Sequence, residues 1–217
     1  MIELLIKTFD KLEYANDFYK KGAMLFSRAS HFKDVDDNNV RKDNNEGHVI
    51  DKKRIKIPNN VNHFYIGDGG KKYFVDWKAV KKAYPDINNC NEPIELKIEY
   101  VANVLIYSMT YVCSKTRNID DVLNESAKFG EYSVVVYDVR DFIERIKQLP
   151  TRQAGLVQYV DDKGKDIFIK PTRYKNEQEF RIMLNNDNNV DREIFHIGQI
   201  KAFVCSSRSL PTIKNML

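Results

Sequence analysis

Two stretches of this chain are too apolar to lie with one face in water. Residues 96–112 carry Val101, Val104, Leu105, Ile106, Tyr107 and Tyr111 in a nearly continuous run, and residues 132–137 are β-branched and almost wholly apolar. A strand with one wet face alternates apolar and polar residues; where alternation is missing, both faces need cover. The flanking segments supply helical spacing. Leu12, Ala15, Phe18 and Tyr19 recur between Asp10, read as an N-cap, and Gly22, read as the stop, with Lys20 and Lys21 in the last turn. Phe142, Ile143, Ile146 and Leu149 share a face between the cap Asp138 and Pro150. Strands are expected at 2–8 and 23–28, and a short helix capped by Asp120 ending near Gly130. The C-terminal third reads as an antiparallel meander with strands near 155–160, 166–170, 178–184 and 193–204. The expected fold class is α+β (mixed α/β), one domain over 1–217 with a central mixed, largely antiparallel sheet. Residues 52–95, with their interrupted apolar pattern, are expected to form a peripheral insertion.

At 217 residues, 42% apolar and 30% charged, the chain has the composition of a globular protein able to bury a core without staples. No apolar run reaches membrane-spanning length, and the start lacks the pattern of a signal peptide, so the cytoplasm is the expected location. Cys90, Cys113 and Cys205 are widely spaced, which argues against a disulfide framework or a zinc site. His31, His48, His63 and His196 show no ligand spacing, so no metal is expected. Thirty-five basic against thirty-one acidic side chains give a net charge of +4, too even for the footprint of a nucleic-acid binder. The run Lys52-Lys53-Arg54-Lys56, extended by Lys71, Lys72, Lys81 and Lys82, keeps nucleic acid as a weaker option. Gly67-Asp68-Gly69-Gly70 lacks the spacing of a phosphate loop and reads as a turn.

The sharpest local pattern is Glu177-Gln178-Glu179 at the entry to a strand. In extended structure residues i and i+2 share a face, so both carboxylates would address one ligand, and Arg181 would fix Glu179 from the same face. The polar stretch at 30–47 holds Arg41 with Asp43 and Glu46, either an anion grip or a salt-bridged loop.

Gly22-Ala23-Met24-Leu25-Phe26-Ser27, Phe32, Arg41 to Gly47, Phe129-Gly130-Glu131-Tyr132, Phe142 to Ile146, Lys170, Tyr174 and Glu177 to Ile182 together resemble an uncharacterised family of bacterial and phage proteins. The matches skip 52–95. That family's motifs in turn resemble, more distantly, the ADP-ribosyltransferase fold of toxins that modify protein and DNA. This resemblance implies a strand, helix and strand around a nicotinamide dinucleotide, NAD, and a transferase or NAD glycohydrolase activity. Glu179 would be the catalytic carboxylate facing the oxocarbenium-like centre, and Glu177 the group that orients or deprotonates the acceptor. Lys7, Ser27, Arg28, Arg41, Tyr107 and Ser108 would contact the cofactor. Lys7 stands where such transferases present Arg or His, and lysine meets a phosphate only as a point charge. Either Arg28 or Arg41 replaces it, or the ligand is not the dinucleotide.

Two functions follow from this reading. One is an enzyme acting on a macromolecular acceptor, of phage or mobile-element origin and serving phage–host conflict. The other is a binding module on the same scaffold, holding a nucleotide or a host protein without chemistry. The shared expectation is geometric: Glu179, Tyr107 and Arg28 or Arg41 meet on one concave surface. A further expectation is that Glu179→Gln barely changes folding, as for a carboxylate at a cleft edge.

Overall fold

The computed structural model describes residues 3–30, 48–55, 61–68, 71–83, 85, 94–161 and 166–217. The chain divides into two compact units, Met1–Val49 with Tyr100–Leu217, and Ile50–Glu99. It opens with β1 (Glu3–Phe9), α1 (Leu12–Lys21), β2 (Ala23–Arg28) and β3 (His48–Ile55). β4 (His63–Asp68), β5 (Lys71–Asp76), α2 (Trp77–Ala83) and β6 (Ile94–Val101) follow. Next come β7 (Val104–Cys113), α3 (Ile119–Ala127), β8 (Tyr132–Val136) and α4 (Val139–Ile146). The last third holds β9 (Thr151–Leu156), β10 (Gln158–Val160), β11 (Ile169–Pro171), β12 (Glu179–Asn185), β13 (Arg192–His196) and β14 (Ala202–Ser206). Two 3-10 helices lie at Thr172–Glu177 and Ser207–Met216.

The first unit is mixed α and β around an eight-stranded sheet ordered β13-β2-β7-β1-β8-β14, with β12 joining β7 to β9. All of its pairings are antiparallel. Both faces are covered, as the apolar strands require. On one face Leu5, Val134 and Ile182 pack with Ala15 and Phe18 of α1 and Phe142 and Ile146 of α4. On the other, Leu4, Ile6, Val112 and Val135 meet Val122 and Leu123 of α3 and Leu210 and Ile213 of the last 3-10 helix. Each such side chain contributes about 1.5–3 kcal/mol relative to exposure. Among the described residues no helix is long and apolar enough to cross a membrane.

α1 stops at Gly22, whose φ of 62° is left-handed and whose missing Cβ would stand 2.4 Å from the Gly198 carbonyl oxygen. Asp138 caps α4 by accepting the Asp141 N–H at 3.0 Å. Two expected caps are corrected. α1 begins after Lys11, with no side-chain cap, and α3 begins after a left-handed Asn118, with Asp120 inside its first turn facing the positive helix end. α3 also ends at Ala127, short of Gly130.

The C-terminal third is not a meander. β10 and β11 pair in parallel in a sheet of their own, while β12, β13 and β14 disperse to β7, β2 and β8. The single strand expected at 193–204 is two strands on opposite edges of the sheet. Between them, Ile197 and Ile200 enter the core and their N–H groups donate to the Gly22 and Tyr19 carbonyls. That tether takes the chain across the end of α1, and Gly198, at φ 79°, makes the bend. The strand character expected over 96–112 is divided between β6 and β7, with Ala102-Asn103 between them.

In the second unit β4 and β5 form an antiparallel hairpin from His63↔Asp76 to Asp68↔Lys71. The Asp76 carboxylate accepts the Ala79 N–H at 3.0 Å, capping α2, and Trp77 is buried. β3 pairs with β6. No described strand lying wholly within 50–99 joins the eight-stranded sheet.

Candidate functional site

β7 has two different neighbours along one edge. Leu105 and Ile106 pair with Arg28 and Ser27 of β2, whereas Thr110 to Cys113 pair with Ile6 to Glu3 of β1. At 107–109 neither strand is in register: β1 continues on β8 through Lys7, Thr8 and Phe9, and β2 continues on β13. The sheet splits there and opens a cavity of about 600 Å³. An unpaired strand edge leaves carbonyls that need donors. Lys7 supplies one, its ammonium donating to the Ser108 carbonyl at 2.8 Å while lying 4.4 Å from the centre of the Tyr107 ring.

The polar end of the cavity is built on β12 and β11. Gln178 is left-handed at φ 43°, so Glu177 closes a 3-10 turn and Glu179 begins the strand. The carboxylates thus meet by a turn and not by strand alternation. Between them lies Lys170, whose ammonium is 2.7 Å from Glu177 Oε2 and 2.9 Å from Glu179 Oε2. Arg181, 1% exposed, pairs through Nε with Glu179 Oε1 at 2.6 Å and donates to the Ile167 carbonyl. The Ser108 hydroxyl donates to Glu179 Oε1, and the Glu179 N–H donates to the Tyr159 hydroxyl at 2.9 Å. Phe9, Tyr14, Leu25, Phe129 and Ile194 line the apolar part, with Tyr174 near the carboxylates.

This surrounding separates the two carboxylates. Burial pushes Glu179 up, but the Arg181 guanidinium and Lys170 ammonium, with hydrogen bonds from Arg181 and Ser108, outweigh it and hold the carboxyl well below its usual range. Glu177 goes the other way: burial, added to by the Glu179 charge, raises it more than Lys170 lowers it. Paired carboxylates driven apart in this way divide into a permanent charge and a proton carrier.

A pH dependence follows. The Glu179 pairing contributes fully above its ordinary value of 4.5 and is lost as pH falls below that, because the unfolded chain takes up the proton first. Glu177 has the opposite sign, since its folded form prefers the proton. Thermal melts from about pH 7 to about pH 3 should therefore show a shallower acid loss in Glu179→Gln than in the parent chain. Superimposable acid limbs would remove Glu179 as a source of acid sensitivity.

Of the residues singled out from sequence, Glu177, Glu179, Lys7, Ser27, Tyr107 and Ser108 all line the cavity. Arg28 does not; its guanidinium donates to the Asn189 and Val190 carbonyls and lies 3.4 Å from Asp191, tying down the turn before β13. Arg41, with Asp43, Glu46 and His31, lies outside the described residues, as does Cys90. Tyr107 serves as wall: its ring packs 6.0 Å from Phe18 and 5.4 Å from Phe26, and its buried hydroxyl has no hydrogen-bond partner among the described residues. Lys170 and Tyr159 were given no role by sequence reasoning. Lys170 stands in the Lys170…Tyr174…Glu177-x-Glu179 pattern, which was signal enough to notice it; Tyr159 had none. Among the described residues no group of three or more His, Cys, Asp and Glu is placed to hold a metal ion.

Comparison with known proteins finds no matching family model, no matching curated protein and no matching solved structure. Neither the bacterial and phage family nor the ADP-ribosyltransferase fold is shown by them.

Proposed function

We propose that the chain is an ADP-ribosyltransferase-like enzyme that breaks the nicotinamide–ribose bond of NAD. The observation that carries this reading is the pair of cavity carboxylates whose surroundings drive their proton affinities in opposite directions. The reaction needs a fixed negative charge opposite a developing positive one, and a base for the acceptor. Glu179 is the charge, oriented by Arg181, Lys170 and Ser108. The bond from ribose C1′ to the pyridinium nitrogen breaks, its electron pair leaving with neutral nicotinamide. The acceptor's oxygen or nitrogen then bonds C1′, and its proton passes to Glu177. The aromatic lining suits planar rings, and the cavity volume is that of a small-molecule site. With water as acceptor the same steps give NAD hydrolysis.

A second reading, a non-catalytic nucleotide-binding module, is favoured by one specific contact set. Glu179 is ion-paired to both Arg181 and Lys170, which spends much of its charge before any ligand arrives. Nicotinamide release, with transfer of adenylate label from NAD to lysate protein or nucleic acid, separates the two. Release or transfer supports the enzyme. Saturable NAD binding without either supports the module; absence of NAD binding overturns the enzyme and confines the module to other nucleotides.

A further inference from the structure

Strand alternation puts His63 and Tyr65 on one face of β4, and the register sets Phe74 of β5 opposite Tyr65. The three rings touch. His63 stacks on Phe74 with centroids 5.7 Å apart, and Tyr65 meets Phe74 edge-on at 5.6 Å. Yet Tyr65 is 61% and Phe74 60% exposed. Scattered single apolar residues on a surface are ordinary, but a contiguous group of rings on the open face of a hairpin marks a binding surface.

The charge of the segment that carries these rings points to the occupant. Residues 63–83 contain five lysines and two aspartates, with no arginine or glutamate. The whole segment 50–99 has ten basic and seven acidic residues, so it holds most of the chain's net charge of +4. On α2, Lys78 and Lys82 are exposed and one helical turn apart. A protein partner docking through apolar area has no use for this excess of lysine, whereas a polyanion with stackable bases uses both features.

We infer that the aromatic face of the β4–β5 hairpin binds single-stranded nucleic acid, bases stacking on Tyr65 and Phe74 while Lys78 and Lys82 of α2 meet phosphates. Stacking is tolerant of sequence, so any preference among bases is modest. None of these residues lines the cavity, so the test stands whatever the cavity does.

The test is fluorescence anisotropy of a labelled oligothymidine and an oligouridine titrated with the full chain. Two phosphate contacts give a slope of about −1.4 in log affinity against log salt, about a sevenfold loss over a fourfold rise in salt. Tyr65→Ala and Phe74→Ala should each weaken binding about tenfold or more, with thermal melts as the folding control. Tyr65→Leu keeps apolar area and removes the π-face, so it should behave like the alanine variant. Absence of binding at low salt, or binding unchanged in the ring variants, overturns the inference. Full affinity in Tyr65→Leu also overturns it, since that result describes a greasy docking surface for protein.

Discussion

Arg181→Met melts roughly 10 °C below the parent chain, the largest stability loss expected from a single change at the site. Arg181 is the largest of the fully buried side chains, and its guanidinium is paired to a carboxylate that is itself 5% exposed. Methionine fills much of the volume but leaves the Glu179 charge with Lys170 as its remaining ion-pair partner and the Ile167 carbonyl without this donor. Removing one member of a buried pair costs about 3–5 kcal/mol, because the other charge stays desolvated. The double variant Arg181→Met with Glu179→Gln should recover part of that loss, since it removes the stranded charge too. Differential scanning calorimetry on the four proteins of this cycle measures the coupling. A parent-like melting temperature in Arg181→Met would mean that Lys170 and Ser108 satisfy Glu179 without the guanidinium.

Glu179→Gln lowers the rate of nicotinamide release by about a hundredfold or more if the carboxylate faces the oxocarbenium-like centre. Size and hydrogen-bonding capacity are kept, so the loss isolates the charge. The expectation that folding would barely change assumed a carboxylate at a cleft edge, whereas Glu179 is buried. Glu179 lies at the meeting point of Arg181, Lys170 and Ser108, and an amide there leaves two buried cations facing a neutral group. A cost of about 1–3 kcal/mol follows, so rates are to be compared well below the lower of the two melting temperatures. Glu179→Asp retains charge at shorter reach and should fall between the two. Equal rates in parent and Glu179→Gln would take Glu179 out of the chemistry and leave Glu177 and Lys170 as the groups to test.

Several features were legible because the forces behind them are local. Missing alternation in residues 132–137 and around Leu105 announced strands covered on both faces. Helical spacing ended by Gly22 placed α1 between β1 and β2, and the i, i+2 relation along β12 brought Arg181 to Glu179. Where local signals compete, they misled. Asp10 and Asp120 are good capping residues by type, but the helices begin where packing of Phe18 and of Val122 and Leu123 sets the register. The apolar content of 193–204 likewise read as one strand, because burial of Ile197 and Ile200 against the core leaves the same composition as a strand would.

By itself the sequence determined α1, α4 and the strands at 3–9 and 132–136, the two-sided burial of the central strands and the closeness of Glu179 to Arg181, since each depends on neighbours a few residues away. The cavity was decided only in three dimensions. It exists because β1 and β2, joined by one helix, pair with different halves of the same edge of β7, and a register between strands about a hundred residues apart leaves no mark in either. The same holds for Lys170 and Tyr159, which reach Glu179 from separate strands, and for Arg28, which the turn at 189–191 takes away from the cavity. A side chain's type limits what it can bind; which partner it binds is set by the backbone that carries the two together.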